Sequence, residues 1–331
     1  MEGLVVFNKP KGITSYKVVE FFKNRLNKKV GHGGTLDKLA EGILILAIDE
    51  YTKELNKFLK ESIKTYIAEI TLGAKSNTYD SEGEITDILN NEKEISQFKK
   101  NYADGKDIMK VLNSFVGEIE QMPPSFSAVK IKGKPAYSLA RKGKKIELKP
   151  RKVKIFQIKM LDYKWPKIKI EVVCSSGTYI RSLANDLGEK LGCGGYLSNL
   201  IRTKILLMQT DENFTQINTD LIYTKIVFDL EQALTFDDIE RNFLEFYAKI
   251  YGKVQGVGFR FFTEEWAKYF NIKGYVKNLF DGSVEVLAQG KEEGLQELIF
   301  KLKQGPTFAK VEKMDIIFKK PSFIYKDFLI L

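Results

Sequence analysis

The chain has very few residues with sulfur or imidazole side chains. Its 331 residues include two cysteines, Cys174 and Cys193, and one histidine, His32. These three side chains cannot form a disulfide scaffold or a four-ligand zinc site of thiols and imidazoles. We therefore expect neither a metal site nor a cofactor.

Long apolar runs are also absent from the sequence. No run is long enough to span a bilayer, and Met1 to Pro10 lacks the pattern of a signal peptide. We therefore expect a soluble, cytoplasmic protein that has no membrane partner. Separately from these observations, we expect a monomer. A length of 331 residues is enough for two or three domains with a substantial core.

Positive charge is concentrated in one segment, residues 128–159, which we call the basic band. The band holds twelve lysines and arginines against one acid, Glu147, a charge of +11, whereas the whole chain carries +10. A segment this basic suits a phosphate backbone, because each neutralised phosphate releases counterions. The band predicts a nucleic-acid partner, and a solvated, lysine-rich surface hairpin is the alternative.

The stretch from Gly31 to Leu46, GHGGTLDKLAEGILIL, joins a glycine-rich loop to an apolar run. Glycines at 33 and 34 allow positive φ and a close approach to a ligand. The run from Gly42 to Ile48 is typical of a short buried strand, so the loop leaves the edge of a packed sheet. Asp37 is the one carboxylate in that loop and the candidate catalytic group, although an Asp beside glycines is also common in plain turns.

The start of the chain predicts a strand, a turn and a helix. Gly3 to Asn8 is rich in valine and phenylalanine, which indicates a buried strand, and a turn follows at Lys9 to Gly12. Either Thr14 or Ser15 would cap the next helix. The helix has apolar residues at helical spacing, namely Val18, Val19, Phe22 and Leu26.

A second strand is predicted from Lys64 to Gly73, where β-forming residues alternate. Tyr66 then shares one face with Ala68, Ile70 and Leu72, and by itself it is a core aromatic residue. Further along, Ser182 to Leu191 predicts a helix that glycines end.

Several blocks of the chain, in this order, resemble the signature of the TruB family of tRNA pseudouridine synthases. They are the Asn-Lys-Pro-Lys-Gly turn at the start, the Gly-His loop that ends in Asp37, Lys64-Thr65-Tyr66, Pro123 to Lys130, and Gly177 to Arg181. The family usually has a proline and a small residue where this chain has Lys38 and Glu41. The resemblance fades after Arg202-Thr203-Lys204.

This resemblance implies an α+β pseudouridine synthase fold with a mixed, mainly antiparallel sheet and helices. Residues 1–204 would form the catalytic domain. Residues 205–241 would be a shortened C-terminal extension and linker, with one weak helix near 228–234.

The resemblance also implies the roles of the site residues. Asp37 would act at C1′ of uridine 55, flipped out of the T arm of tRNA, either as a nucleophile or as the base that opens a glycal route. Arg181 would pair with Asp37, and the ring of Tyr66 would lie against the target base. The implied RNA contacts are His32, Lys9, Lys64, Lys130, Tyr179 and Arg202.

The C-terminal residues 242–331 have a different character. Their order of predicted elements is βαββαβ with a short last strand, a ferredoxin-like arrangement. A glycine-rich loop opens the first helix of this segment and ends in Arg260, which makes it an anion site. The loop and the later Gly-Tyr-Val-Lys-Asn-Leu-Phe-Asp-Gly-Ser-Val-Glu are similar to acylphosphatase.

That second resemblance implies hydrolysis of small acyl phosphates without a metal. The phosphate loop would consist of Gln255, Gly256, Val257, Gly258, Phe259 and Arg260. Arg260 would hold the phosphate and Asn278 would orient the attacking water. Two other functions remain open: a protein that binds or folds tRNA without turnover, and an acylphosphatase that the first module only localises.

Overall fold

The computed structural model describes residues 1–102, 105–127, 130–131, 134–135, 148–210 and 223–331. The chain forms two compact units. The first unit contains Met1–Asp37, Gly42–Leu59 and Phe228–Leu331, and the second contains Lys38–Glu41 and Lys60–Val227.

The secondary-structure elements are numbered along the chain. The strands are β1 (Gly3–Lys9), β2 (Val30–Gly33), β3 (Ala40–Ile48), β4 (Ile63–Leu72), β5 (Ala74–Ser76), β6 (Ile85–Asp87), β7 (Gly117–Gln121), β8 (Lys130–Ile131), β9 (Lys134–Pro135), β10 (Arg151–Lys164), β11 (Lys167–Ser175), β12 (Gly195–Thr210), β13 (Tyr223–Asp229), β14 (Leu244–Lys253), β15 (Lys273–Asn278), β16 (Val284–Gly290), β17 (Lys310–Lys319) and β18 (Phe328–Ile330). The α-helices are α1 (Ser15–Leu26), α2 (Tyr51–Lys60), α3 (Glu92–Asn101), α4 (Lys106–Asn113), α5 (Ile180–Lys190), α6 (Phe236–Glu240), α7 (Phe259–Tyr269) and α8 (Glu292–Gln304).

The first unit has a mixed sheet with the strand order β18-β15-β16-β14-β17-β1-β3, and β2 pairs with β3. Its C-terminal part runs β14-α7-β15-β16-α8-β17, so the predicted ferredoxin-like order is confirmed. The N-terminal strand β1 continues this sheet, because it pairs in parallel with β17. In that pairing Leu4 lies opposite Ile317, and Val5 lies opposite Phe318.

The two ends of the chain share one hydrophobic core within the first unit. Val5, Phe7 and Phe22 belong to the same buried cluster as Phe246 and Phe318. All five side chains are 0% exposed, so they are fully removed from water. The N-terminal and C-terminal segments are therefore stabilised by common apolar packing.

Polar contacts join the same two segments. Nη2 of Arg25 lies 3.1 Å from Oε2 of Glu292, which is buried, and the hydroxyl of Tyr51 donates to the carbonyl of Met314. The predicted domain boundaries near residues 204 and 241 rest on sequence resemblance, whereas the two units are defined by compactness. These boundaries therefore stay a prediction.

The second unit has an antiparallel sheet with the order β12-β4-β11-β10-β7. As predicted, Tyr66 shares the buried face of β4 with Ala68, Ile70 and Leu72. The predicted helix after Arg181 is α5, which packs against β12. The predicted α+β class with a mixed, mainly antiparallel sheet is confirmed.

The weak helix expected near residues 228–234 is present only as a short 3-10 helix and not as an α-helix. Strand β13 runs to Asp229, and a single 3-10 turn follows at Leu230–Gln232. The run Ile226-Val227-Phe228 is β-branched and aromatic, which favours a strand, and the side chain of Asp229 accepts from the backbone N–H of Glu231 and starts a new turn. The helix of this region is α6, which begins after the N-cap Thr235.

Candidate active sites

The loop that carries Asp37 follows β2 in the first unit. Gly34 has φ of 64°, the left-handed conformation that glycine adopts without strain. Gly33 lies against α2, where a Cβ atom would meet the end of the Leu59 side chain and lie 3.0 Å from Cγ of Leu55, so a larger residue there would require these side chains to shift. Asp37 is half-buried at the end of this loop, and so is His32, which lies opposite Leu46 of β3.

The start of α1 lies against this loop. Thr14 is the N-cap of the helix, since its side chain accepts from the backbone N–H of Lys17 at 3.3 Å. Ser15, the other residue considered for the cap, turns instead to Leu36: its Oγ donates to the carbonyl of Leu36 at 2.9 Å and accepts from its N–H at 3.0 Å. Leu36 immediately precedes Asp37.

Lys9 is the last residue of β1, where the predicted turn begins, and it is fully buried, which is unusual for a lysine. Its ammonium donates to the carbonyl of Pro10 at 2.9 Å and to that of Ile13 at 2.7 Å. The side chain therefore stabilises the turn between β1 and α1. A direct contact of Lys9 with RNA stays a prediction.

In the second unit, Tyr66 lies between Val172 of β11 and Arg202 of β12 in the sheet register. Tyr66, Lys64 and Arg202 are all buried. The ammonium of Lys64 donates to Oγ of Ser176 at 3.2 Å. Burial, with the nearby positive charge of Arg202, lowers the pKa of Lys64 to about 8.

Arg181 is buried in the first turn of α5 and is held by groups of the second unit. Its guanidinium lies 3.2 Å from Oδ2 of Asp80 and donates to the carbonyls of Thr78 at 3.3 Å and Phe126 at 2.9 Å. Asp80 in turn accepts at Oδ1 from the N–H of Glu82 at 3.0 Å and from Oγ1 of Thr78 at 2.6 Å. This network fixes the position of the guanidinium.

Asp80 is the buried acidic partner of Arg181, and the sequence analysis did not single it out. It lies in the polar cluster Asp80-Ser81-Glu82-Gly83, whose composition is typical of an ordinary turn. A buried arginine needs an acidic partner, and a search for such a partner of Arg181 could have pointed to Asp80.

The main chain of Tyr179 is also fixed. Its N–H donates to Oε1 of Gln121 at 2.7 Å, and its carbonyl accepts from Nε2 of Gln121 at 2.9 Å. Because α5 begins directly after Tyr179, this contact from β7 holds the helix end that presents Arg181.

The predicted synthase residues are divided between the two units. Lys9, His32 and Asp37 lie in the first unit, and the second contains Lys64, Tyr66, Tyr179, Arg181 and Arg202. Within the second unit the structure brings Tyr66, Lys64 and Arg202 together. The pairing of Arg181 with Asp37 stays a prediction.

The basic band is described only in part. Lys130 lies in β8, but its side chain falls outside the described residues, as do residues 136–147 of the band. The described cations of its second half are exposed: Lys149, Arg151, Lys152, Lys154 and Lys159. The ammonium of Lys154 lies 5.6 Å from the ring centroid of the exposed Phe156, which combines charge with an aromatic surface.

The predicted phosphate loop leads into α7 in the first unit. The helix has Gly258 as its N-cap, with φ of 79° and no side-chain cap, so its first N–H groups point toward the loop without a capping side chain. Nε2 of Gln255 donates to the carbonyls of Leu279 and Ser283, each at 2.8 Å, which ties the loop to the turn after Asn278.

The two predicted catalytic residues of this site are accessible. Asn278 is exposed at the end of β15, and Arg260 is half-buried in the first turn of α7. Nη1 of Arg260 donates to the carbonyl of Leu331 at 3.2 Å. Backbone N–H groups together with a guanidinium can bind a phosphate.

Within the described part of the chain, no three His, Cys, Asp or Glu side chains are grouped so that they could hold a metal ion. The described helices also include none that is long and apolar enough to cross a membrane.

Comparison with known proteins identifies both parts of the chain. The family model "TruB family pseudouridylate synthase (N terminal domain)" matches residues 23–180. A tRNA pseudouridine synthase B of Dehalococcoides mccartyi is 41% identical over 260 residues, which are 78% of this chain and 74% of the relative. The chain belongs to the TruB family. A tRNA pseudouridine synthase B of Bacteroides fragilis is 44% identical over 212 residues, 62% of this chain and 87% of the relative.

The acylphosphatase family model matches residues 246–330. Acylphosphatase from Bacillus subtilis aligns at 36% identity with a TM-score of 0.26, covering 27% of this chain and 98% of the other. A chain of a Cbf5-Nop10-Gar1 complex aligns at 23% identity with a TM-score of 0.48, covering 94% of this chain and 84% of the other. Both predicted resemblances are confirmed, and so is the enzyme class: a pseudouridine synthase of the isomerase type with an acylphosphatase-family domain.

Proposed function

We propose that the protein converts uridine 55 in the T arm of tRNA to pseudouridine, with Asp37 acting at C1′. The observation that carries this proposal is the fixed guanidinium of Arg181, held by Asp80 and by two backbone carbonyls. A guanidinium whose rotamer is set by buried contacts can orient and stabilise a carboxylate, which is the partner the TruB resemblance gives to Arg181.

The reaction begins when the tRNA elbow binds through the basic band and the target uridine leaves its stack. His32 fills the space that the base vacates, and the ring of Tyr66 stacks on the flipped uracil. The buried cations Lys64 and Arg202 lie beside Tyr66 in the sheet and give this region a positive potential, and the charge of Arg202 adds to burial in lowering the pKa of Lys64. That potential favours the carboxylate and the phosphates near the target nucleotide.

Asp37 then acts at C1′, as a nucleophile or as the base of a glycal route. The C1′–N1 bond breaks, the uracil turns against Tyr66, and a C1′–C5 bond forms. N1 gains a proton and C5 loses one, so the product is an isomer of the substrate. Arg181 stabilises the carboxylate through these steps.

The test is tritium release from C5-labelled uridine in a T-arm minihelix, comparing wild type with Asp37→Asn. We expect release by the wild type and none by the variant, while the exposed Asp87→Asn releases tritium like the wild type. Salt-sensitive binding without release by the wild type would instead indicate a tRNA-binding or tRNA-folding protein.

We propose a second activity, hydrolysis of small acyl phosphates, for the C-terminal domain. It is favoured by the N-terminus of α7, which has no side-chain cap, next to Arg260 and the tethered Gln255. Benzoyl phosphate hydrolysis should fall to background in Arg260→Ala and stay at the wild-type rate in Arg241→Ala, which removes an exposed arginine elsewhere. Equal, background rates in all three proteins would exclude the activity. Hydrolysis without tritium release would make acylphosphatase the main function.

A further inference from the structure

Ser15 makes a two-point contact with the backbone of the Asp37 loop. Its hydroxyl donates to the carbonyl of Leu36 at 2.9 Å and accepts from the N–H of Leu36 at 3.0 Å. Ser15 is 2% exposed and Leu36 is 3% exposed, so water does not compete for these bonds. The preceding Thr14 supplies the helix cap, which leaves the hydroxyl of Ser15 for this contact.

The contact restrains the orientation of the peptide group that joins Leu36 to Asp37. The carbonyl of Leu36 and the N–H of Asp37 belong to one planar peptide group. A hydrogen bond that fixes this carbonyl therefore fixes the plane from which the Asp37 backbone departs. The second bond, to the N–H of Leu36, fixes the peptide plane before it as well.

The hydroxyl is itself on a rigid support. Ser15 is the first residue of α1, and Val18, Val19 and Phe22 of that helix are buried in the core of the first unit. After Asp37 the chain has Lys38 where the TruB pattern has proline, so no ring fixes φ on that side. The two bonds from Ser15 restrain the backbone of the residue before Asp37.

We propose that Ser15 is a positioning residue for the pseudouridine synthase reaction, which holds the Asp37 loop through the backbone of Leu36. This inference rests on the proposed role of Asp37. Ser15 does not contact substrate in this proposal. Its loss lowers the rate of the chemical step and leaves tRNA binding intact.

The test compares two adjacent alanine variants in the full chain. Ser15→Ala removes both bonds to Leu36, and Thr14→Ala removes only the helix cap. We expect Ser15→Ala to lower kcat for tritium release about 10- to 100-fold, as a misplaced catalytic group does, with KM for the minihelix unchanged. Thr14→Ala should keep the wild-type kcat even though its thermal stability falls. Ser15→Thr, which keeps the hydroxyl, should restore kcat to within a few-fold of the wild type.

Two results would overturn the inference. One is a wild-type kcat in folded Ser15→Ala, and the other is an equal loss of kcat in Ser15→Ala and Thr14→Ala. If Ser15→Ala does not fold, Ser15→Cys replaces it in the test, because cysteine keeps the size of the side chain and forms weaker hydrogen bonds. A wild-type kcat in Ser15→Cys would then overturn the inference. Asp37→Asn separates the two proposals: full activity in that variant contradicts the proposed function, whereas inactive Asp37→Asn beside fully active Ser15→Ala contradicts the role of Ser15 alone.

Discussion

At the scale of single residues, the pairing of Arg181 with Asp80 places two opposite charges where water hardly reaches. Their side chains are 6% and 4% exposed. Removing one charge of a buried pair leaves the other uncompensated, so its cost exceeds that of breaking a surface ion pair.

Asp80→Asn should therefore weaken both the fold and the reaction. We expect a loss of about 3–5 kcal/mol in the free energy of unfolding and, because Arg181 loses its acidic partner and keeps only its two carbonyl contacts, a drop of roughly 100-fold in kcat. Urea unfolding and single-turnover tritium release measure the two effects. The exposed Asp87→Asn is the matched control, and wild-type kcat in Asp80→Asn would show that Arg181 does not depend on this pair.

Lys64 makes stability depend on pH. Burial and Arg202 lower its pKa from 10.5 to about 8 in the folded chain, so between these values the unfolded chain binds more protons. The contribution of Lys64 to the free energy of unfolding therefore rises with pH across that window, and below pH 8 the full cost of burying the charge is present. The sign follows from a folded-state pKa that is lower than the unfolded one.

The measurement is urea unfolding of wild type and Lys64→Met at several pH values. We expect the wild type to gain about 3 kcal/mol relative to the variant between neutral and strongly alkaline pH. Lys169→Met, at an exposed position of β11, controls for the removal of a surface charge. A difference between wild type and Lys64→Met that does not change with pH would contradict the lowered pKa.

At the scale of elements, the start of α5 depends on a neighbouring strand. Tyr179 has no side-chain cap hydrogen bond, and the buried Gln121 of β7 satisfies both its N–H and its carbonyl. Gln121→Ala leaves these two groups without that partner in the interior. The helix start would move, and Arg181 with it.

We expect Gln121→Ala to lose about 1–3 kcal/mol of stability, the cost of unsatisfied buried polar groups. Its kcat for tritium release should fall as well, because α5 presents Arg181. Gln157→Ala, at an exposed position of β10, is the control. A stability loss with unchanged kcat would mean that Arg181 keeps its place without Gln121.

Elements and single contacts differ in how far the sequence predicts them. The alternation from Lys64 to Gly73 is enough to put Tyr66 on the buried face of β4, because every second side chain of a strand points the same way. The contact of Ser15 with Leu36 spans 21 residues, and that of Arg181 with Asp80 spans 101. No local pattern encodes such pairs, since they exist only once the chain has folded. The sequence likewise leaves Thr14 and Ser15 as equal candidates for the helix cap, and only the folded structure distinguishes them.

At the scale of the molecule, the acylphosphatase-family domain and the N-terminal strands form one compact unit. Phe318 of β17 shows the connection, because it packs 5.9 Å from the ring centroid of Phe246 within the domain and lies opposite Val5 of β1 in the sheet. The strands that lead to the Asp37 loop therefore share a sheet and a core with the domain at the other end of the chain.

A cavity in this shared core should destabilise both the N-terminal and the C-terminal strands. We expect Phe318→Ala to cost about 3–5 kcal/mol, and hydrogen exchange should show less protection for the amides of β1 as well as those of β14 and β17. Phe308 belongs to the same domain and is 76% exposed, so Phe308→Ala should change neither the free energy of unfolding nor the hydrogen-exchange protection. If β1 keeps its protection in Phe318→Ala while β14 and β17 lose theirs, the two ends fold independently. If all three strands lose protection together, the C-terminal domain is a structural part of the synthase, and truncating it would remove support from the strands before Asp37.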